Sequence, residues 1–235
     1  MNKLNIPVAE IIEWDILNWS QIIPEWTPIV EKLPRDGKVL AVGERDGGLS
    51  LWLALLGFNV TCTDRIGPTE DAGKLHKKYG VADKVTYDEL DIVNCDWEGE
   101  QYDLIVIKSV LGGVMAVYGD HDSRNFDVQK KAVNNMHHLL KPGGILLSVE
   151  NMKGNLLLHQ LRKMKGKDKG WHHFSWQEIQ ELYGSYSDVK TKSFGVLPTL
   201  FGNNIVNRIA FFLNKYILNI LPPSTKYVAI TTAKK

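Results

Sequence analysis

The sequence predicts an α/β fold, a doubly wound sheet of seven strands flanked by helices. Three observations lead there. Short apolar runs alternate with helix-like stretches at the spacing that right-handed βαβ crossovers need. One run, KVLAVG at Lys38–Gly43, suits a central parallel strand covered on both faces. The 235 residues suffice to bury one large core and are about the length at which single cores stop growing.

From Val8 to Val30 the apolar residues recur at helical spacing, and Pro34 to Gly37 break the pattern, so one or two amphipathic helices precede the sheet. After KVLAVG, the stretch GGLSLWLALLG reads as a helix ending at Gly57, a residue suited to a left-handed C-cap. NVTCTD is the second strand. PTEDAGKLHKKYG is a helix punctuated by Pro68, Thr69 and two acids at its start and Gly80 at its end. KVTYDELDI (Lys84–Ile92) and YDLIVIKSV (Tyr102–Val110) supply the third and fourth strands. NFDVQKKAVNNMHHLL is helix-like, and KPGGILLSVEN is a turn and fifth strand. SWQEIQELYG adds a helix, SDVKTKSFGV a sixth strand and KYVAITTAKK a seventh.

Between the last two strands, Leu197 to Thr225 is too long for a hairpin and holds NNIVNRIAFFLNKYILNIL, so a helix is inserted there. If the sixth strand runs parallel to the first five, the insertion starts at the edge where doubly wound sheets bind ligands. The expected organisation is a helical cap over residues 1–35 and a main domain over 36–235, with the insertion at about 197–225.

Charge excludes some partners. The 28 Lys+Arg residues almost balance 27 Asp+Glu, so no global field steers the chain toward nucleic acid or membrane. There is no basic, aromatic stripe either, and no nucleic-acid partner is expected. Cys62 and Cys95 lack C-x-x-C or Cys–His spacing and read as reduced packing residues. The N-terminus lacks a charged leader followed by a long apolar run, so a cytoplasmic location is expected. The basic run Leu161–Gly170 reads as a solvated surface turn.

The turn after the first strand limits the cofactor. A dinucleotide fingerprint starting at Gly43 needs a glycine where Arg45 stands, and no Lys-Ser/Thr pair follows for a P-loop. Taken together, VLAVGERDGG, VTCTD, LDI, YDLIVIKSVLGGV and LKPGGILLSVEN resemble the class I S-adenosylmethionine-dependent methyltransferases over roughly residues 36–150. That resemblance implies a Rossmann-like sheet whose last strand is antiparallel, and S-adenosylmethionine as cofactor. It implies backbone contact with the methionine part at Gly43 and Gly47, ribose hydroxyls on Asp64, and the adenine near Asp91 and Ile92. Arg65 follows the ribose acid, and Lys108 and Ser109 end the fourth strand close to the amino group and methyl. Ala41 stands where many relatives carry an acid; Glu44 and Asp46 are candidates to compensate, and Arg45 to reach the methionine carboxylate as a forked donor.

The expected reaction is methyl transfer to a small molecule or glycan, O-methylation with a histidine base, because imidazole titrates near neutrality. His121 follows the fourth strand, and His172 and His173 follow the fifth; these are the base candidates, whereas His76, His137, His138 and His159 look structural. Glu150 and Asn151 imitate the acid–amide pair of metal-dependent relatives, but the cation Lys108 occupies the other ligand position, so no metal is expected. A non-catalytic adenosylmethionine-binding protein and a nicotinamide-dependent oxidoreductase stay open as alternatives. Ile205, Ile209, Phe212, Leu213, Tyr216 and Ile217 form an apolar stripe on the inserted helix, with Asn207, Arg208, Asn214 and Lys215 on its polar side. The N-terminal helices are expected to cover that stripe, in preference to a second subunit or a membrane surface. The oligomeric state is left open.

Overall fold

Seven strands join in one sheet: β1 (Val39–Val42), β2 (Val60–Asp64), β3 (Val85–Glu89), β4 (Tyr102–Lys108), β5 (Leu140–Asn151), β6 (Asp188–Phe194) and β7 (Val228–Lys234). The computed structural model describes residues 7–95, 101–118, 126–156, 158, 160 and 170–235. His121, His159 and residues 161–169 of the basic run lie outside the described residues. The strand order is β3-β2-β1-β4-β5-β7-β6. β1 to β5 pair in parallel, and β7 runs antiparallel to both β5 and β6. β6 therefore points the same way as β5, and the insertion leaves from the ligand-binding edge.

Strands buried on both faces explain the near-continuous apolar runs. In β4, Leu104 and Val106 join a core shared with Trp19, Trp26 and Trp52, while Ile105 and Ile107 join the opposite core with Ala132, Val133 and Met136. The alternation is the period-two geometry of a strand, used here to feed two helical layers. Each such fully buried apolar side chain contributes about 1.5–3 kcal/mol.

Three short helices, α1 (Val8–Ile12), α2 (Ile16–Trp19) and α3 (Ile22–Val30), replace the one or two expected at the N-terminus. α2 and α3 are separated only by Ser20 and Gln21, whereas the break between α1 and α2 holds Glu13 and Asp15, whose φ values are 70° and 43°. Tertiary bonds override helix propensity there. Lys108 takes the carbonyls of Ile11 and Ile12, and the Asp15 carboxylate accepts from Asn18, Thr199 and Tyr227.

Next come α4 (Gly48–Leu55), α5 (Glu70–Lys78), α6 (Leu111–Tyr118), α7 (Asp127–Leu139), α8 (Trp176–Leu182) and α9 (Asn204–Tyr216). α8 starts with a capping box, Ser175 and Glu178 each bonding the other's backbone N–H. Helix α6 is the element the sequence conceals, because Gly112 and Gly113 weaken its helical pattern. Both positions lie under Trp171: a Cβ at Gly112 would stand 2.3 Å from Trp171 Nε1, and one at Gly113 2.9 Å from Cζ3.

The inserted helix forms where expected, but its burial is inverted. Ile205, Ile209, Phe212, Tyr216 and Ile217 are exposed, and the residues turned inward are Ala210 and Asn214. Asn214 Oδ1 accepts from the backbone N–H of Val196 (3.0 Å) and Leu197 (2.9 Å), while Nδ2 donates to Leu197 O (2.7 Å) and Asn18 Oδ1 (3.0 Å). An apolar residue there would leave those buried groups unpaired, at about 1–3 kcal/mol each. So α9 does lean on α2, through its polar side and not its apolar stripe.

Candidate functional site

A cleft of about 540 Å³ opens at the C-terminal ends of β1, β2 and β4. That is the ligand-binding edge of an open α/β sheet and a volume suited to a small organic molecule. All ten residues expected to hold a cofactor line it: Gly43, Glu44, Arg45, Gly47, Asp64, Arg65, Asp91, Ile92, Lys108 and Ser109.

The wall after β1 is a backbone turn. Gly43 has φ +69°, and a Cβ there would stand 2.5 Å from Val110 Cγ2. Gly47, at φ +77°, is backed by His76, whose Cε1 lies 2.8 Å from where a Cβ would be. Buried His76 braces the turn: Nε2 lies 3.0 Å from Gly47 O, and Nδ1 2.7 Å from the Tyr87 hydroxyl. A carbonyl only accepts, so Nε2 carries the proton and Nδ1 accepts from Tyr87. Burial lowers the His76 pKa, against the bond to Gly47, which raises it. This bracing role was concealed in the sequence. The signal was a histidine four residues after Ala72 on the buried face of an otherwise charged helix.

Glu44 is buried and points away from solvent. Its Oε2 accepts from Ser50 N at 3.0 Å and Ser50 Oγ at 3.4 Å, capping α4. Burial raises its pKa, opposed by nearby Lys108 and the N–H of Ser50. Asp46 accepts from Thr69 Oγ1 at 2.9 Å. The Arg45 side chain is 79% exposed and pairs loosely with Asp46 at 3.9 Å. Half-buried Asp64 closes β2. Asp91 Oδ1 takes the N–H of Val93 at 3.0 Å, and Oδ2 takes the Tyr118 hydroxyl and Asn94 Nδ2. Burial pushes the Asp91 pKa up, but the bonds from Tyr118, Val93 and Asn94 outweigh it and hold it below the ordinary value.

The opposite wall is made by side chains. Lys108 Nζ donates to Ile11 O (2.8 Å), Ile12 O (3.4 Å) and Glu13 Oε2 (3.1 Å), and lies 4.5 Å from the Trp14 ring centroid. One buried cation thus fixes the turn between α1 and α2, and with it Glu13 and Trp14, in the cleft lining. Ser109, at φ 56°, receives a bond from Asn151 Nδ2 of 2.8 Å. Glu150 is spent on α6: its oxygens accept from the N–H groups of Val110, Leu111 and Gly112 at 2.9, 2.9 and 3.4 Å. Burial still raises its pKa to about 7. Among the described residues, no group of three or more His, Cys, Asp or Glu could hold a metal ion.

Neither of the described base candidates, His172 and His173, lines the cleft. His172 lies outside the cleft lining, between Phe126 and Phe174, with Nε2 3.4 Å from Glu178 Oε1. Burial lowers its pKa, against the pull of Glu178. Its neighbour Trp171 lines the cleft, and His173 is partly exposed beside it.

This strand order, with its antiparallel last strand and a glycine turn after β1, defines the fold of the class I S-adenosylmethionine-dependent methyltransferases. Solved structures agree. Phosphoethanolamine N-methyltransferase 2 from Haemonchus contortus, held with phosphomonomethylethanolamine and S-adenosylhomocysteine, matches 92% of this chain at TM-score 0.64 and 16% identity. The chain spans about half (52%) of that protein. The N-methyltransferase NodS from Bradyrhizobium japonicum, in complex with S-adenosylhomocysteine, matches at TM-score 0.56 and 14% identity over 92% of this chain and 84% of NodS. An S-adenosylmethionine-dependent methyltransferase from Methanosarcina mazei gives TM-score 0.56 and 18% identity over 89% and 97% of the two chains. Curated protein sequences give no significant match. The chain belongs to the family described as tellurite resistance protein TehB, whose model matches residues 20–159.

Proposed function

We propose that this chain transfers the methyl group of S-adenosylmethionine to a small-molecule acceptor. One observation carries the reading: Glu13, Glu44, Asp46, Asp64 and Asp91 outnumber Arg45, Arg65 and Lys108 in the cleft lining. S-adenosylmethionine sets a sulfonium and an ammonium against one carboxylate, so it is a net cation. A nicotinamide dinucleotide brings an anionic pyrophosphate, which an acid-rich cleft without the middle glycine repels. In this reading Asp64 accepts the ribose hydroxyls with its two oxygens, Asp91 faces the adenine amino group, and Ile92 offers an apolar surface to the base. Gly43 and Gly47, in the turn after β1, offer backbone to the methionine part.

Bound there, the cofactor supplies an electrophilic methyl on sulfur, and in-line displacement needs mainly alignment and exclusion of water. Trp14 and Trp171 supply apolar lining, which suits an organic acceptor, a glycan included, better than a small inorganic oxyanion. For a hydroxyl nucleophile we assign the proton to a histidine at 121, 172 or 173. His172 and His173 directly follow Trp171, which lines the cleft, and that adjacency supports the assignment. The exposed Arg45 leaves the cleft open, which favours an enzyme over a blocked, non-catalytic binder.

Calorimetric titration with S-adenosylmethionine, S-adenosylhomocysteine and NAD tests the reading. Saturable binding of the first two and none of NAD is expected; binding of NAD alone, or of none of them, overturns it.

A further inference from the structure

Helix α9 shows to solvent the face that an amphipathic helix normally buries. Phe201, Ile205, Ile209, Phe212, Tyr216 and Ile220 are between 49% and 88% exposed. Ile205, Ile209, Phe212 and Tyr216 recur at three- and four-residue steps and form one stripe on α9, with Phe201 and Ile220 in the flanking turns. The helix cannot turn the stripe inward without withdrawing Asn214 from the backbone of Val196 and Leu197. Contiguous exposed apolar surface of this kind marks a contact site.

Charge indicates what the stripe meets. From Val189 to Lys235 the chain carries seven of its 28 cations, Lys190, Lys192, Arg208, Lys215, Lys226, Lys234 and Lys235, and none of its 27 acidic residues. The overall balance conceals a cationic C-terminal segment. Lys190 and Lys192 meet Asp188 and Glu25. Arg208 and Lys215 lie on α9 itself, the Lys215 ammonium 5.5 Å from the Tyr216 ring centroid. A two-fold contact with a second copy would bring Arg208 and Lys215 against their own kind, with no carboxylate on the segment to oppose them. Anionic lipid headgroups supply the missing charge. Thirteen residues make a helix of about 20 Å, too short to cross a bilayer. Among the described residues no helix is long and apolar enough to span.

We propose that α9 and its flanking turns dock flat on an anionic membrane surface, the apolar stripe entering the headgroup–acyl boundary and Arg208 and Lys215 meeting lipid phosphates. Asn214 ties α9 to Asn18 of α2, and the turn before α2 carries Glu13 and Trp14 into the cleft. Docking therefore sets the N-terminal end of the cleft near the lipid.

Flotation with vesicles of equal parts phosphatidylcholine and phosphatidylglycerol, against phosphatidylcholine alone, tests the proposal. The wild-type chain is expected to float with the anionic vesicles and to be released by high salt. Ile209→Ser combined with Phe212→Ser changes only half-exposed positions. It should keep the wild-type circular dichroism and melting curve while losing about tenfold or more in vesicle binding. Arg208→Ala with Lys215→Ala should remove the preference for anionic vesicles. Absence of wild-type flotation, or undiminished flotation of the serine variant, overturns the proposal. A dimer in analytical ultracentrifugation that the serine variant dissociates, with no vesicle binding by the wild type, overturns it in favour of a second copy.

Discussion

The two walls of the cleft are built by different means. The wall after β1 and β2 is mostly backbone: Gly43 and Gly47 turn with positive φ, and His76 and Glu44 hold the loop from behind. The wall after β4 and β5 is made by side chains that reach far along the sequence. Lys108 holds the turn at Ile11 to Glu13, Asp15 receives Thr199 and Tyr227, and Glu150 caps α6. The first wall suits a cofactor shared across a superfamily. The second wall meets the first where Val110 packs on Gly43 and Ile11 on Gly48.

The sharpest break in the backbone wall is Gly43→Ala. It forces a left-handed residue with a Cβ onto Val110, and a loss of about 4 kcal/mol in urea denaturation is expected. The matching test of the side-chain wall is a pH dependence. Glu150 has a folded-state pKa of about 7 against an ordinary 4.5, so the folded state binds the proton more tightly. The stabilisation is full below pH 4.5 and is lost as pH rises toward 7, on the order of 3 kcal/mol across that window. Glu150→Gln should flatten this slope, and any slope of the same sign that survives is ascribed to Glu44, whose pKa is also raised. A smaller effect separates the walls directly. Lys108→Met leaves the carbonyls of Ile11 and Ile12 without their donor, costing about 2 kcal/mol. Hydrogen exchange should quicken over residues 8–19 while 39–56 stay protected; equal loosening of both would show that the walls are one unit.

The same contrast explains what the sequence revealed. β1, β4, β5 and the glycine turn were legible because burial on two faces and positive φ leave local marks, apolar runs and glycines; the edge strand β3, buried only at Val85, was legible from its place in the βα alternation. Asp64, Asp91 and Lys108 could be placed at the cleft because strand ends follow from strand positions. The role of Lys108 as a clasp was not legible, since its partners lie 95 to 97 residues away. Glu150 resembled a metal ligand because a carboxylate at a strand end looks the same whether it faces an ion or three N–H groups. α6 was hidden by the glycines that admit Trp171. Asn214 read as solvent-facing, because polarity alone does not reveal that the loop at Val196 and Leu197 needs an amide.

In the proposed function the backbone wall holds an adenosyl cofactor whose ribose rests on Asp64. Calorimetric titration of S-adenosylhomocysteine into the wild-type chain and into Asp64→Ala tests it most directly. A weakening on the order of 2 kcal/mol, roughly 30-fold, is predicted, because two ribose hydroxyls lose a charged acceptor. Equal affinity in the two proteins, or no binding to the wild type, would contradict it.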